Sequence, residues 1–110
     1  MGDLSRHLSR HEIACKCGCG FDRLAPATII LFELVREINN YRPLIPTSGC
    51  RCYAHNQAVG GYTNSQHLDG CALDLPVEDP EYVYRTLSYL FPNSLGLGLY
   101  PTFIHVDTRE

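Results

Sequence analysis

Residues 65–74 of this chain read Ser-Gln-His-Leu-Asp-Gly-Cys-Ala-Leu-Asp, and residues 103–107 read Phe-Ile-His-Val-Asp. Together the two stretches contain two imidazoles and a carboxylate, which are His67, His105 and Asp74. Two nitrogen ligands and one oxygen ligand leave the fourth tetrahedral position of Zn²⁺ open for water, as catalytic zinc sites require. The sequence therefore predicts one catalytic zinc site at these three residues.

The surroundings of the three candidate ligands predict a loop that leads into strands. Gly70 permits a tight bend just after His67, because glycine tolerates positive φ. Residues 71–75 form a short strand-like run that contains Asp74, and residues 102–106 form a second one that contains His105.

Local signals predict the remaining elements. Ser9 and Glu12 form a capping box, which indicates a short helix that begins near Arg10. Apolar spacing and helix-start residues predict three further helices, over residues 26–39, 53–59 and 81–90. Additional short strands are expected over residues 44–47 and 96–100. A chain of 110 residues predicts a single domain, 1–110. The expected class is α+β, with a small antiparallel sheet and helices packed on one side.

The motif around His67 resembles that of the M15 family of zinc peptidases, the D-Ala-D-Ala carboxypeptidases and murein endopeptidases. The family pattern is Ser-x-His-x-x-Gly-x-Ala-x-Asp, and residues 65, 67, 70, 72 and 74 fit it without a gap. Four further blocks resemble the small single-domain branch of the family, at residues 7–20, 47–52, 55–61 and 96–107. The resemblance implies a hedgehog/DD-peptidase fold, a zinc cofactor and the hydrolysis of peptidoglycan stem peptides. Both D,D-carboxypeptidase and L,D- or D,D-endopeptidase activity are compatible with it.

The resemblance also implies roles for two residues near the metal. Arg51 resembles the family arginine that holds the scissile carbonyl or the terminal carboxylate, so it is a candidate for catalysis and for substrate binding. Ser65 resembles the family serine that hydrogen-bonds to the substrate backbone. The alternatives are a surface ion pair for Arg51 and a loop cap for Ser65.

The general base is the least certain part of the predicted site. The best-known dipeptide-cleaving relatives carry an acidic residue three positions before the last histidine, where this chain has Thr102. A candidate replacement is Asp107, which lies on the same face of a strand as His105. Asp107 takes a proton from the zinc-bound water as a catalytic base, or orients His105 as a supporting carboxylate, or is a surface charge.

Six cysteines are more than usual for this length. Three interpretations stay open. Cys15, Cys17, Cys19 and Cys52 could hold a second, structural metal. Alternatively, the N-terminal cysteines form disulfides with Cys50 or Cys52 in an oxidising compartment, or all are reduced and mostly buried thiols.

The bulk properties exclude some partners. The net charge is −3 and the pI is about 5.9, which argues against binding to nucleic acid. The absence of a long apolar run predicts no membrane insertion, and a monomer is expected. Residues 1–7 show no apolar signal-peptide region. We therefore expect a cytoplasmic protein that is released, as phage lysis enzymes are, or one exported by another route.

Two rival functions remain. His105 and Asp107 with a distant histidine also resemble the ligand set of Fe(II) oxygenases, although such sites place the second histidine further downstream. The other rival is a zinc-stabilised binding module without catalysis, for which Thr102 is the best argument.

Overall fold

The computed structural model describes residues 2–62 and 65–108. In these ranges the chain forms four α-helices, namely α1 (Arg10–Ile13), α2 (Pro26–Ile38), α3 (Tyr53–Ala58) and α4 (Pro80–Leu90). A 3₁₀ helix, Gln66–Asp69, follows α3. The strands are β1 (Ala72–Leu75), β2 (Gly96–Leu99) and β3 (Ile104–Asp107).

The three strands form one antiparallel sheet in the order β1-β3-β2. Asp74 of β1 lies opposite His105 of β3, and His105 lies opposite Gly98 of β2. Because side chains alternate along a strand, paired residues share a face. One face of the sheet is therefore polar and rich in glycine, and the other is aliphatic.

The aliphatic face packs against α2 and α4. The core contains buried residues from the sheet and from both helices, which include Leu73, Leu75, Ile104, Val106, Phe32, Val35, Val83 and Leu87. The predicted α+β class with a small antiparallel sheet is confirmed. The short helix α3 instead contacts the 3₁₀ helix that carries His67.

The predicted helix boundaries agree closely with the structure. At α1, the Ser9 N–H donates to Glu12 Oε1 over 2.8 Å, as expected for a capping box. At α4, the Asp79 carboxylate accepts a hydrogen bond from the Tyr82 N–H. Helix α2 ends at Ile38, because Asn40 and Tyr41 both take φ of 59° and so leave the helical conformation.

The strand expected over residues 44–47 does not form. Within this region only Thr47 and Ser48 reach the edge of the sheet. The Thr47 N–H donates to the Asp74 carbonyl, and the Asp74 N–H donates to the Ser48 carbonyl, each over 2.9 Å. Pro43 and Pro46 lack the N–H groups that a longer ladder needs. The short contact nevertheless fixes the segment before Gly49 against the edge of the sheet.

None of the helices in the described ranges is both long and apolar enough to span a bilayer.

Candidate active site

The structure brings the three predicted metal ligands together on the polar face of the sheet. Asp74 and His105 lie on the paired strands β1 and β3, and His67 lies on the 3₁₀ helix. Asp74 Oδ1 is 3.4 Å from His67 Nε2 and 2.9 Å from His105 Nδ1. The ligand atoms of all three residues fall within 4.8 Å of one another, a spacing that one metal ion can bridge.

Hydrogen bonds behind the two histidines leave the correct nitrogens facing the centre. His67 Nδ1 is 2.6 Å from the Gly49 carbonyl oxygen. A carbonyl only accepts, so Nδ1 carries a proton and donates to Gly49, and Nε2 is the nitrogen that faces Asp74. His105 Nε2 is 2.8 Å from Asp107 Oδ2, which directs Nδ1 toward Asp74. Metal-binding histidines commonly have such partners, so the residues present fit a zinc ion.

Asp74 and His105 perturb each other's ionisation. Burial opposes ionisation of Asp74, but hydrogen bonds from His105 and His67 overcome it and hold the pKa of this carboxyl well below its usual range. Burial likewise opposes protonation of His105, but hydrogen bonds to Asp107 and Asp74 raise its pKa to about 9. The centre is thus an ionised Asp74 carboxylate between two imidazoles. A metal cation that binds there would displace protons from the ligands.

The 3₁₀ helix is held by its caps. Ser65 Oγ accepts a hydrogen bond from the His67 N–H over 3.2 Å, so Ser65 caps this helix and also lines the cleft. Gly70 ends the helix with φ of +66°, the bend that the sequence predicts. A side chain at Gly70 would collide with the Arg23 carbonyl. His67 is therefore held between the Ser65 cap on one side and the Gly70 bend on the other.

Arg51 lies beside the centre and is held by three acceptors. Its Nε is 3.0 Å from Ser48 Oγ, its Nη1 is 3.3 Å from Asn56 Oδ1, and its Nη2 is 3.3 Å from Asp74 Oδ2. Only 14% of the Arg51 side chain is exposed. The two oxygens of Asp74 thus have different partners, since Oδ1 faces the histidines and Oδ2 faces Arg51.

Three supporting residues were not predicted as parts of the site. Gly49 supplies a carbonyl, Ser48 a hydroxyl and Asn56 an amide. Asn56 is 1% exposed, and its amide also donates to the Tyr62 carbonyl over 2.7 Å. Ser48 and Gly49 lie in the recognised block 47–52, but nothing in a glycine's identity indicates that its carbonyl orients a histidine.

The centre opens into a cleft of about 700 Å³. Among the described residues that line this cleft, Asp74 is the only carboxylate, and Thr102 is not part of the lining. Asp107 is fully buried and lies behind His105 rather than in the cleft. A surface charge is wrong for Asp107, because the side chain is buried. Of the two remaining roles, this position fits the orienting role better than the role of base.

The structure also places the predicted cysteine cluster. The Sγ atoms of Cys15, Cys17, Cys19 and Cys52 lie within 4.8 Å of one another. Cys50 lies outside this cluster, and its thiol donates to the Arg23 carbonyl. Cys17 and Cys19 are exposed, so the interpretation as mostly buried thiols is wrong for these two.

An antiparallel sheet that carries Asp74 and His105, with His67 beside it on the 3₁₀ helix, defines a protein with a candidate site for a single metal ion. The particular family follows from comparison with known proteins, since residues 6–107 match the model of the family described as Peptidase M15. The chain belongs to this family. Membership implies a peptidase, and M15 peptidases are zinc enzymes, which leaves no support for the Fe(II) oxygenase alternative. No individually curated protein matches the chain.

Proposed function

We propose that this protein is a zinc-dependent peptidase that cleaves stem peptides of peptidoglycan, as a D,D-carboxypeptidase or an L,D- or D,D-endopeptidase. One observation carries the proposal. A His-Asp-His set with metal-ligand spacing opens into a cleft, and an anchored arginine lies at its side. The proposal includes action as a monomer on the cell wall, after release or export from the cytoplasm, and no nucleic-acid partner.

The metal would be held by His67 Nε2, Asp74 Oδ1 and His105 Nδ1. When bound, zinc polarises a scissile carbonyl and lowers the pKa of a coordinated water toward neutrality. The protein's part is to leave one position open toward the cleft. His67 and Asp74 both line the cleft, as does His105.

Arg51 would bind the negative charge of the substrate. Three acceptors take three of the five N–H groups of its guanidinium, and Arg51 lines the cleft. A preorganised cation next to a carbonyl stabilises the oxyanion that develops there, and it also pairs with a terminal carboxylate. Because Asn56 and Ser48 hold the side chain before substrate arrives, little reorganisation is needed.

Asp107 would act as a positioning residue. Its carboxylate accepts from His105 Nε2 and is shielded from the cleft by the imidazole. In this position it fixes the orientation of the ring and increases the basicity of the nitrogen that faces the metal.

The lining of the cleft suits a peptide substrate whose side chains are small. Gly60, Gly61 and Gly98 line it and present no side chains, whereas Tyr62 and Tyr100 supply apolar edges. Stem peptides contain alanine residues, so their backbone can approach the metal closely along such a surface. Ser65, at the same edge, would accept or donate a hydrogen bond to that backbone.

One observation favours the alternative of a zinc-stabilised binding module. Among the described lining residues no carboxylate other than Asp74 reaches the cleft, so the acidic base of better-known relatives has no visible counterpart. A protein of this kind would bind stem peptides through Arg51 and the metal without turning them over.

Digestion of purified muropeptides, followed by mass spectrometry, separates the two functions. The zinc-loaded protein should release a terminal alanine or split the stem, and the chelated protein should not. Replacement of the terminal D-Ala-D-Ala by L-Ala-L-Ala tests the stereochemistry. Binding without any cleavage would establish the binding module, and neither binding nor cleavage would refute both functions.

A further inference from the structure

The four clustered cysteines have the geometry of a metal site. The Sγ atoms of Cys15 and Cys17 are 3.4 Å apart, those of Cys17 and Cys52 are 3.5 Å apart, and those of Cys15 and Cys52 are 3.8 Å apart. Cys19 completes the set within 4.8 Å. Zinc–sulfur bonds of about 2.3 Å give a tetrahedron with sulfur–sulfur edges of about 3.8 Å. The observed spacings are close to those edges.

Backbone donors are aimed at two of these sulfurs. The Cys52 N–H is 3.4 Å from Cys15 Sγ, and the His55 N–H is 3.4 Å from Cys52 Sγ. Hydrogen bonds to sulfur favour the thiolate, which is the form that binds metals.

The four sulfurs of the cluster are crowded together. The Cys17 sulfur lies 3.4 Å from that of Cys15 and 3.5 Å from that of Cys52. Thiols so crowded repel one another once more than one is charged. A divalent cation at the centre converts that repulsion into attraction and allows all four thiolates to form.

We propose that Cys15, Cys17, Cys19 and Cys52 form a second metal centre, a closed tetrathiolate site for zinc that is separate from the catalytic site. Four protein ligands leave no position for water, so the centre is structural. This inference goes beyond the proposed peptidase function and does not depend on it.

The two other interpretations account for the geometry less well. Disulfides would join the sulfurs only in pairs, at about 2.0 Å, whereas here one sulfur lies 3.4 and 3.8 Å from two others. Simple packing of apolar thiols does not explain why Cys17 and Cys19 converge at an exposed position.

The proposed centre would fasten the N-terminal loop to the segment that carries Arg51. Cys52 directly follows Arg51 and is the N-cap of α3, which also contains Asn56. The neighbouring Cys50 N–H donates over 2.8 Å to the carbonyl of Ile13, which lies two residues before Cys15. A metal bridging Cys15 and Cys52 would therefore hold Arg51 at the edge of the cleft.

Metal content and cobalt substitution test the proposal. The reduced wild-type protein should bind about two equivalents of zinc, and its cobalt form should show the sulfur-to-cobalt charge-transfer bands and intense visible bands of a tetrathiolate site. Cys19→Ser should lose about one equivalent and those bands while keeping the cobalt spectrum of the histidine site. Cys71→Ser, outside the cluster, is the matched control and should keep both.

Several results would overturn the proposal. One is a folded, reduced wild-type protein that shows no sulfur-to-cobalt bands, and this measurement does not depend on whether Cys19→Ser folds. Another is incomplete alkylation of the cysteines when the native protein is denatured without reductant, since that would show disulfides. A Cys19→Ser variant with unchanged metal content would also refute it. None of these results bears on peptidase activity, so the two proposals fail independently.

Discussion

The described part of the chain holds two clusters of side chains with metal-ligand spacing, and they differ in almost every physical respect. The His67–Asp74–His105 cluster rests on two paired strands and one 3₁₀ helix and opens into a cleft. The cysteine cluster, Cys15, Cys17, Cys19 and Cys52, is built from a glycine-containing loop and the start of α3. One offers three mixed ligands, and the other offers four sulfurs.

The difference explains which cluster can do chemistry. Two ligands on paired strands and a third on the 3₁₀ helix would leave one coordination position of a zinc ion open, whereas four thiolates would close the coordination sphere. The open site also has an anchored cation, Arg51, at its edge. The comparison predicts that substitutions at the first cluster change turnover and that those at the second change stability.

The largest effect is expected from His67→Ala. Loss of one imidazole leaves a carboxylate and one imidazole, which hold zinc poorly, so peptidase activity should disappear. Total metal should fall by about one equivalent while the cobalt–thiolate bands stay. Metal analysis and muropeptide digestion check this, with the exposed His11→Ala as control. Full turnover with unchanged metal in His67→Ala would refute the site assignment.

A smaller but large effect is expected from Arg51→Lys. Lysine keeps the positive charge but lacks the planar guanidinium, which donates hydrogen bonds to Ser48, Asn56 and Asp74 at the same time. Turnover should fall by about 10²–10³-fold, the usual cost of removing an oxyanion donor, with metal content nearly unchanged.

The control for Arg51→Lys is Arg85→Lys, on the exposed surface of α4, where Arg85 pairs with Glu81. Steady-state kinetics and thermal unfolding should be measured on both variants. If Arg51→Lys lowers the melting temperature but leaves the specific activity of the folded fraction intact, Arg51 is structural.

Asp107→Asn should have an intermediate effect. The orienting role predicts that metal affinity and turnover fall together, by about 10–100-fold, because the amide accepts from His105 Nε2 more weakly than a carboxylate. Zinc titration beside kinetics checks the prediction, with the exposed Asp69→Asn as control. A loss of turnover at unchanged metal affinity would instead identify Asp107 as the base.

The smallest effects come from a matched pair of glycines, one beside each cluster. A Cβ at Gly98 would lie 3.2 Å from His105 Cβ, so Gly98→Ala should weaken metal binding at the histidine site. Gly18, between Cys17 and Cys19, has open space but φ of +80°. Gly18→Ala should therefore cost about 1–2 kcal/mol of folding stability through backbone strain.

Metal titration and thermal unfolding of both glycine variants distinguish the two effects. The comparison fails if Gly98→Ala leaves the histidine site unchanged, or if Gly18→Ala weakens that site instead of lowering stability.

The fold was largely accessible from local patterns. The caps at Ser9 and Asp79 and the apolar spacing of α2 predicted the helices, because these signals act within a few residues along the chain. The strand expected at 44–47 is wrong, because Pro43 just before it and Pro46 within it lack the N–H groups that a strand ladder needs.

The sequence by itself determined which side chains are available. It identified His67, Asp74 and His105, the M15 motif around them, and the unusual cysteines. These are properties of residue type and spacing, so they can be recognised without any knowledge of contacts in the folded chain.

Only the tertiary structure decided how these groups face one another. His105 contacts Asp74 across 31 residues, and Cys15 contacts Cys52 across 37. The nitrogen that each histidine presents depends on a carbonyl at Gly49 and a carboxylate at Asp107. A sequence lists donors and acceptors, but hydrogen bonds and metal geometry depend on distances of a few ångströms, which only packing of the folded chain sets.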